Sequence, residues 1–258
     1  MKKPTTTMRL DRLLANMGYG SRREIAQATK AGLVMLDGVA IREADKRIAV
    51  EPDLAQRMTF DGVALDPPPG LVVMLNKPLG VTCSHKETGP LVYGLLPPRW
   101  RRREPMISTV GRLDKDTSGL LLLTDDGELL HRVIAPKSQI AKRYRVTLDR
   151  PLGGGEAAAF ATGALMLDGE ETPLLPAVLE PLTSTLALLT VTEGRYHQVR
   201  RMFAAVGNHV AALHRDRIGG LELPPGLEPG QMRVLDAAGI AAVLGQAART
   251  VSTRPASG

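Results

Sequence analysis

The sequence predicts an α+β protein in two parts: a small αα-β module, then a larger domain built on a mixed or antiparallel sheet. Three observations lead there. Pro67-Pro68-Pro69-Gly70 removes three backbone donors in a row, so neither a helix nor a central strand crosses it. Before it, apolar residues fall first at helical spacing and then in a short hairpin. Beyond it, apolar runs of strand length recur with few helices between them. The expected parts are residues 8–66, a linker at 67–70 and a domain at 71–248, with disordered ends at 1–7 and 249–258.

The elements follow in order. Leu10, Leu13, Leu14 and Met17 share one helix face, which Gly18 and Gly20 end. Ser21 and Glu24 form a capping box that starts a second helix running to Gly32. Leu33–Leu36 and Val39–Ile41 flank Asp37-Gly38, a hairpin turn signal. In the larger domain, strands are expected at Leu71–Leu75, Leu120–Thr124, Arg143–Leu148, Leu186–Val191 and Val210–Leu213. Helices are expected at Glu156–Thr162 and His197–Ala205, with a closing helix at Leu235–Ala248 and a turn at Asp125-Asp126-Gly127.

Composition narrows the class. No run approaches the ~18 apolar residues that span a bilayer. Arg9, Asp11 and Arg12 break up the start, which argues against a signal peptide. The single cysteine, Cys83, excludes an intramolecular disulfide and a cysteine-based zinc site. A cytoplasmic protein is the expectation. Thirty-three Lys and Arg against 27 Asp and Glu give a net charge of +6. The excess is clustered: ten basic against five acidic residues in 1–50, Arg-Trp-Arg-Arg-Arg at 99–103, and five arginines with only Asp216 opposing in 195–217. Separated basic clusters fit a surface that follows a phosphate backbone.

One stretch concentrates the chemistry. In Val110–Gly127 an arginine and a carboxylate, Arg112 and Asp114, lie in a polar loop directly before a wholly apolar strand. Such a strand is buried, so the loop is held against rigid core, where a reactive group is best positioned. The tripeptide Arg-Leu-Asp alone means little, since it also occurs at Arg9–Asp11. Asp114-x-Asp116 and Asp125-Asp126 can also be read as metal ligands or a glycosidase pair. His131, His209 and His214 do not converge with cysteines or carboxylates at metal spacing, so no metal site is expected.

Residues 8–50 resemble an S4 RNA-binding domain through Arg9-Leu10-Asp11, Leu13, Gly18, Ser21-Arg22-Arg23, Gly32, Val34 and Asp37-Gly38. The second part resembles the pseudouridine synthases, specifically the RsuA-type branch that modifies ribosomal RNA. The likeness rests on Val110–Gly127, Asn76-Lys77-Pro78-Leu79-Gly80-Val81, Lys142–Val146, Glu193–Phe203 and Leu213–Gly220. It implies isomerisation of uridine to pseudouridine, which conserves atoms and needs no cofactor. It also implies roles: Asp114 as nucleophile, Arg200 as its basic partner, and Tyr144 stacking on the flipped-out base. Arg9, Arg22, Arg23, Lys77, Arg112, Arg195 and Arg201 are the expected RNA contacts, Lys77 with a structural role as its alternative. Tyr196 and His197 are read as packing or loop-fixing residues, with a general base as the alternative for His197. The segment 202–215 resembles the small-subunit (16S) enzymes, with 23S RNA as the alternative substrate. The expected partner is ribosomal RNA, free or in an assembling particle, and a monomer is the default state. A non-catalytic ribosome-assembly factor using the same surfaces remains the rival reading. Two features depart from the branch: the basic run Arg99–Arg103, and Gly94 where an acid is commoner.

Overall fold

The computed structural model describes residues 6–84 and 89–245. The expected tail at 249–258, most of the expected N-terminal arm and residues 246–248 of the expected closing helix lie outside them.

The first part runs β1 (Thr7–Arg9), α1 (Leu10–Asn16), α2 (Arg22–Ala31), β2 (Val34–Leu36), β3 (Val39–Ala40), β4 (Arg47–Ala49), α3 (Leu54–Arg57), β5 (Met58–Phe60) and β6 (Val63–Ala64). Both halves of the capping box form at α2: Ser21 accepts from the Glu24 N–H and Glu24 accepts from the Ser21 N–H. Asp37 and Gly38 both take positive φ, as a two-residue hairpin turn requires. β2 pairs with β3 on one side and β5 on the other, and β5 with β6. Thr7 corrects one expectation. It is not frayed but paired with Ala49 in a β1–β4 ladder, and the Val50 N–H donates to Thr6 O at 2.8 Å. Leu10, Leu13, Leu14, Met17 and Ile25 close over Val34, Ile48, Leu54 and Met58 in a small core.

The second part comprises β7 (Val72–Lys77), β8 (Ser108–Thr109), β9 (Thr117–Thr124), α4 (Gly127–Ile134), β10 (Lys142–Leu148), α5 (Glu156–Ala161), β11 (Val178–Pro181), β12 (Leu186–Val191), α6 (Gln198–Ala205), β13 (Val210–Ile218), β14 (Leu221–Glu222), β15 (Met232–Val234) and α7 (Ala237–Val243). One mixed sheet carries the order β11-β12-β10-β13-β9-β7-β15, with β8 and β14 paired at its side. Its β9–β13 pair is parallel; the other ladders are antiparallel. Val73, Leu75, Leu121 and Leu123 pack under Val92, Leu96 and Trp100. Val72, Met74, Leu120 and Leu122 face Leu129, Val133 and Val243 of α4 and α7. Burial on both faces is why β7 and β9 read as unbroken apolar runs. A third cluster seats Phe160 of α5 edge-on to Phe203 of α6 against β10 and β12.

Three elements differ from expectation, the first being the closing helix, which spans only Ala237–Val243 before a turn at Leu244-Gly245. Asp126 does not simply turn the chain: its carboxylate accepts from the Glu128 and Leu129 N–H groups and starts α4. An Asp before a glycine serves a turn and a helix N-cap equally well, and the apolar stripe after it favours the cap. β13 runs on to Ile218, so His214 and Arg215 lie on a strand.

The basic run Arg99–Arg103 is a seam between the two parts. Arg99 stacks on Tyr19 and pairs with Asp66 at 3.0 Å. The Glu104 N–H donates to Asn16 O. Arg101 donates to the carbonyls of Gly94 and Leu96. Arg103 is buried, paired with buried Asp125 at 3.0 Å, and also donates to Pro67 O. Among the described residues no helix is long and apolar enough to cross a membrane.

Candidate active site

The parallel ladder of β9 and β13 organises the site. It sets Thr117 beside Leu213, Ser118 beside His214 and Gly119 beside Arg215. The approach at Gly119 (φ +105°) is so close that a Cβ would collide with the Arg215 backbone, which explains the glycine. The loop carrying Asp114 emerges at the start of β9 and forms one wall of a cleft of about 1340 Å³. Tyr144, Arg200, His197 and Arg112 line the same cleft.

Lys77, at the end of β7 opposite Gly119, is fully buried. Its ammonium donates to the carbonyl oxygens of Asp114, Thr117 and Pro78 at 3.0, 2.9 and 3.1 Å. Burial lowers its pKa, while Cys83, Asp114 and Asp116 pull the other way. The expected RNA contact is therefore replaced by a structural one: Lys77 pins the backbone of the loop from below.

The Asp114 carboxylate is 30% exposed in the cleft, with His197 Nε2 at 3.4 Å from Oδ1. Arg200 is not its direct partner. Arg200 Nη2 pairs with Asp116 Oδ2 at 2.9 Å and donates to Asp116 O, while Nη1 donates to Val210 O. Nη2 is thus spent on Asp116, two residues from Asp114, and Nη1 on Val210, tying the loop to the start of β13. The two groups 114 and 116 face a histidine and an arginine one helical turn apart at the head of α6. That spacing is the available signal for His197, which the sequence offers as a packing or loop-fixing residue with a general base as its alternative.

Tyr144 lies on β10 directly across from Arg215. Arg215, 3% exposed, donates to Leu120 O at 2.8 Å and holds its guanidinium 5.9 Å from the Tyr144 ring centroid, near its hydroxyl. A buried arginine under the expected stacking residue is a second feature that sequence reasoning did not assign. Ser118 Oγ and His214 Nδ1 share a hydrogen bond at 2.9 Å, and burial lowers the His214 pKa.

The remaining expected RNA contacts divide. Arg195 is committed to Glu193, Glu170 and the carbonyls of Thr172 and Pro173. Arg201 is committed to Glu170 and the carbonyls of Tyr196 and Asp168. Both anchor loops instead of displaying charge, because acidic and carbonyl oxygens from another segment lie within reach. Arg112 is exposed at the cleft. In the first part, Arg9 and Arg22 share buried Asp11, at 3.1 and 2.7 Å. Burial pushes the Asp11 carboxyl up, but the two guanidiniums bring it below its ordinary value. Arg23 projects from the first turn of α2 and is exposed. Among the described residues no group of three His, Cys, Asp or Glu side chains is placed to hold a metal ion.

Residues 71–205 match the family described as RNA pseudouridylate synthase, and residues 8–51 match the S4 domain. The chain is 42% identical to the ribosomal small subunit pseudouridine synthase A of Escherichia coli, over 92% of this chain and all of that protein. It is also 42% identical to an uncharacterised RNA pseudouridine synthase of Bacillus subtilis, over 88% of this chain and 95% of the relative. A crystal structure of a pseudouridylate synthase superposes with a TM-score of 0.64 at 37% identity, covering 92% of this chain and 99% of that one. With an S4 domain ahead of the mixed sheet and a carboxylate loop seated at the head of β9, the chain belongs to the RNA pseudouridylate synthases, enzymes that isomerise uridine in RNA.

Proposed function

We propose that this enzyme converts a uridine of small-subunit (16S) ribosomal RNA to pseudouridine, with Asp114 as the nucleophile. In the net reaction the N1–C1′ bond breaks, the uracil turns and a C5–C1′ bond forms. The C5 hydrogen leaves as a proton and N1 takes one up. The observation that carries the reading is the setting of Asp114: its backbone is clamped from below by Lys77 while its carboxylate faces a cleft of about 1340 Å³, large enough to admit a flipped-out nucleotide.

The other residues take roles consistent with that geometry. Extruding the base costs a few kcal/mol, part of which a flat ring returns. Tyr144, steadied by Arg215, is the ring placed for it. Arg200 acts on Asp114 by holding its loop through Asp116. The S4 module brings Arg23 and Arg22 to the first turn of α2, where free N–H groups also favour phosphate. The substrate is ribosomal RNA, free or within an assembling small-subunit particle, and the enzyme acts as a cytoplasmic monomer. The small-subunit relatives support 16S over 23S RNA.

The test is pseudouridine mapping of ribosomal RNA from cells lacking the gene, complemented with wild type or Asp114→Asn. One 16S position should return with wild type alone. Return of a 23S position would overturn the substrate, and rescue by the variant would favour the non-catalytic assembly role.

A further inference from the structure

We propose that Tyr196 is the platform of a second nucleobase subsite, which takes a base flanking the target uridine in the RNA strand. The inference rests on Asp114 being the nucleophile and extends the site outward from it.

Tyr196 is 76% exposed, the most exposed large apolar side chain among the described residues, and it sits on the rim of the cleft. An exposed aromatic ring is normally a loss, since its faces gain nothing from water. Here one face is already covered. The His197 imidazole lies 3.9 Å away centroid to centroid and 14° from parallel, so the tyrosine is the outer member of a two-ring stack with its far face open. The same imidazole reaches 3.4 Å from Asp114 Oδ1. The platform is therefore one ring away from the reacting group.

The stack is held in place by its backbone. His197 takes φ +49° at the head of α6, a conformation non-glycine residues seldom adopt. Arg201 donates to the Tyr196 carbonyl, and Arg195 fixes the preceding turn to the 170–173 loop. Packing does not need the ring: Tyr19 pairs with Phe60 and Arg99, and Tyr144 lies half-buried against two of the three large-domain cores, whereas Tyr196 belongs to none of them.

The ligand chemistry follows. Extruding the target uridine leaves its neighbour without a stacking partner, and a nearby aromatic face replaces it. Every base has a π-face, so the subsite tolerates sequence while fixing the strand at the cleft mouth. The exposed cations Arg112 and Lys115 on the same cleft are placed for the phosphates on either side.

The experiment compares steady-state pseudouridine formation in a 16S RNA transcript by full-length wild type, Tyr196→Ala and Tyr196→Phe. The alanine variant should raise KM roughly tenfold with kcat changed far less, and the phenylalanine variant should behave as wild type. Equal melting temperatures would show that the fold is intact. An unchanged KM in Tyr196→Ala, a loss confined to kcat, or a phenylalanine variant as poor as alanine would each overturn the platform. Inactivity of the wild type on 16S RNA would instead overturn the functional reading, and the platform with it.

Discussion

The buried Lys77 ammonium donates to the backbone carbonyl of Asp114 at 3.0 Å, while the Asp114 carboxylate is turned into the cleft. This buried cation therefore stiffens the peptide that carries the acid and leaves the acid itself open to a ligand. Replacing Lys77 by Met should leave three carbonyls without their donor, each worth about 1–3 kcal/mol. Urea denaturation should show a loss of at least ~3 kcal/mol, together with a fall in kcat.

The seam offers a test of stability separate from the chemistry. Burial raises the Asp125 pKa, and the Arg103 guanidinium beside it opposes that rise. Arg103→Met strands the carboxylate in the core and should cost about 3–5 kcal/mol in urea denaturation. Adding Asp125→Leu should recover part of that loss.

For the S4 module, Arg23→Ala should weaken RNA binding and reduce the slope of log K against log salt by about 0.7–0.9 without changing the melting temperature. Arg22→Ala should reduce the slope as well and lower stability, since Arg22 also neutralises buried Asp11. Salt titrations with unchanged slopes in both would remove α2 from the interface.

His214 should confer acid sensitivity. Burial depresses its pKa from 6.5, so between that value and the lower folded one the unfolded chain binds more protons. Stability contributed by the neutral ring is complete above pH 6.5 and is lost as the pH falls towards the folded value. His214→Gln should flatten the melting temperature against pH below 6.5.

Local features were legible in the sequence because their causes are local. The Ser21–Glu24 box, the Asp37-Gly38 turn and the doubly buried β9 each follow from neighbours in the chain. Partners from distant segments were not. Arg99–Arg103 reads as one of the basic clusters of a phosphate-following surface until Asp66, Tyr19 and Asp125 are brought against it. Arg195 and Arg201 read as free charges until the 168–173 loop covers them. The Arg200 assignment reached the right cleft but the wrong carboxylate, because Asp114 and Asp116 differ by two residues in sequence and only geometry decides between them.

The central claim is that the Asp114 carboxylate does the chemistry. The most direct measurement is release of tritium from a 16S transcript labelled at uridine C5, with purified wild type and Asp114→Asn at enzyme excess. Wild type should release one tritium per target site, and the variant should bind the RNA with similar affinity yet release none. Release by Asp114→Asn at a rate near that of wild type would contradict the account.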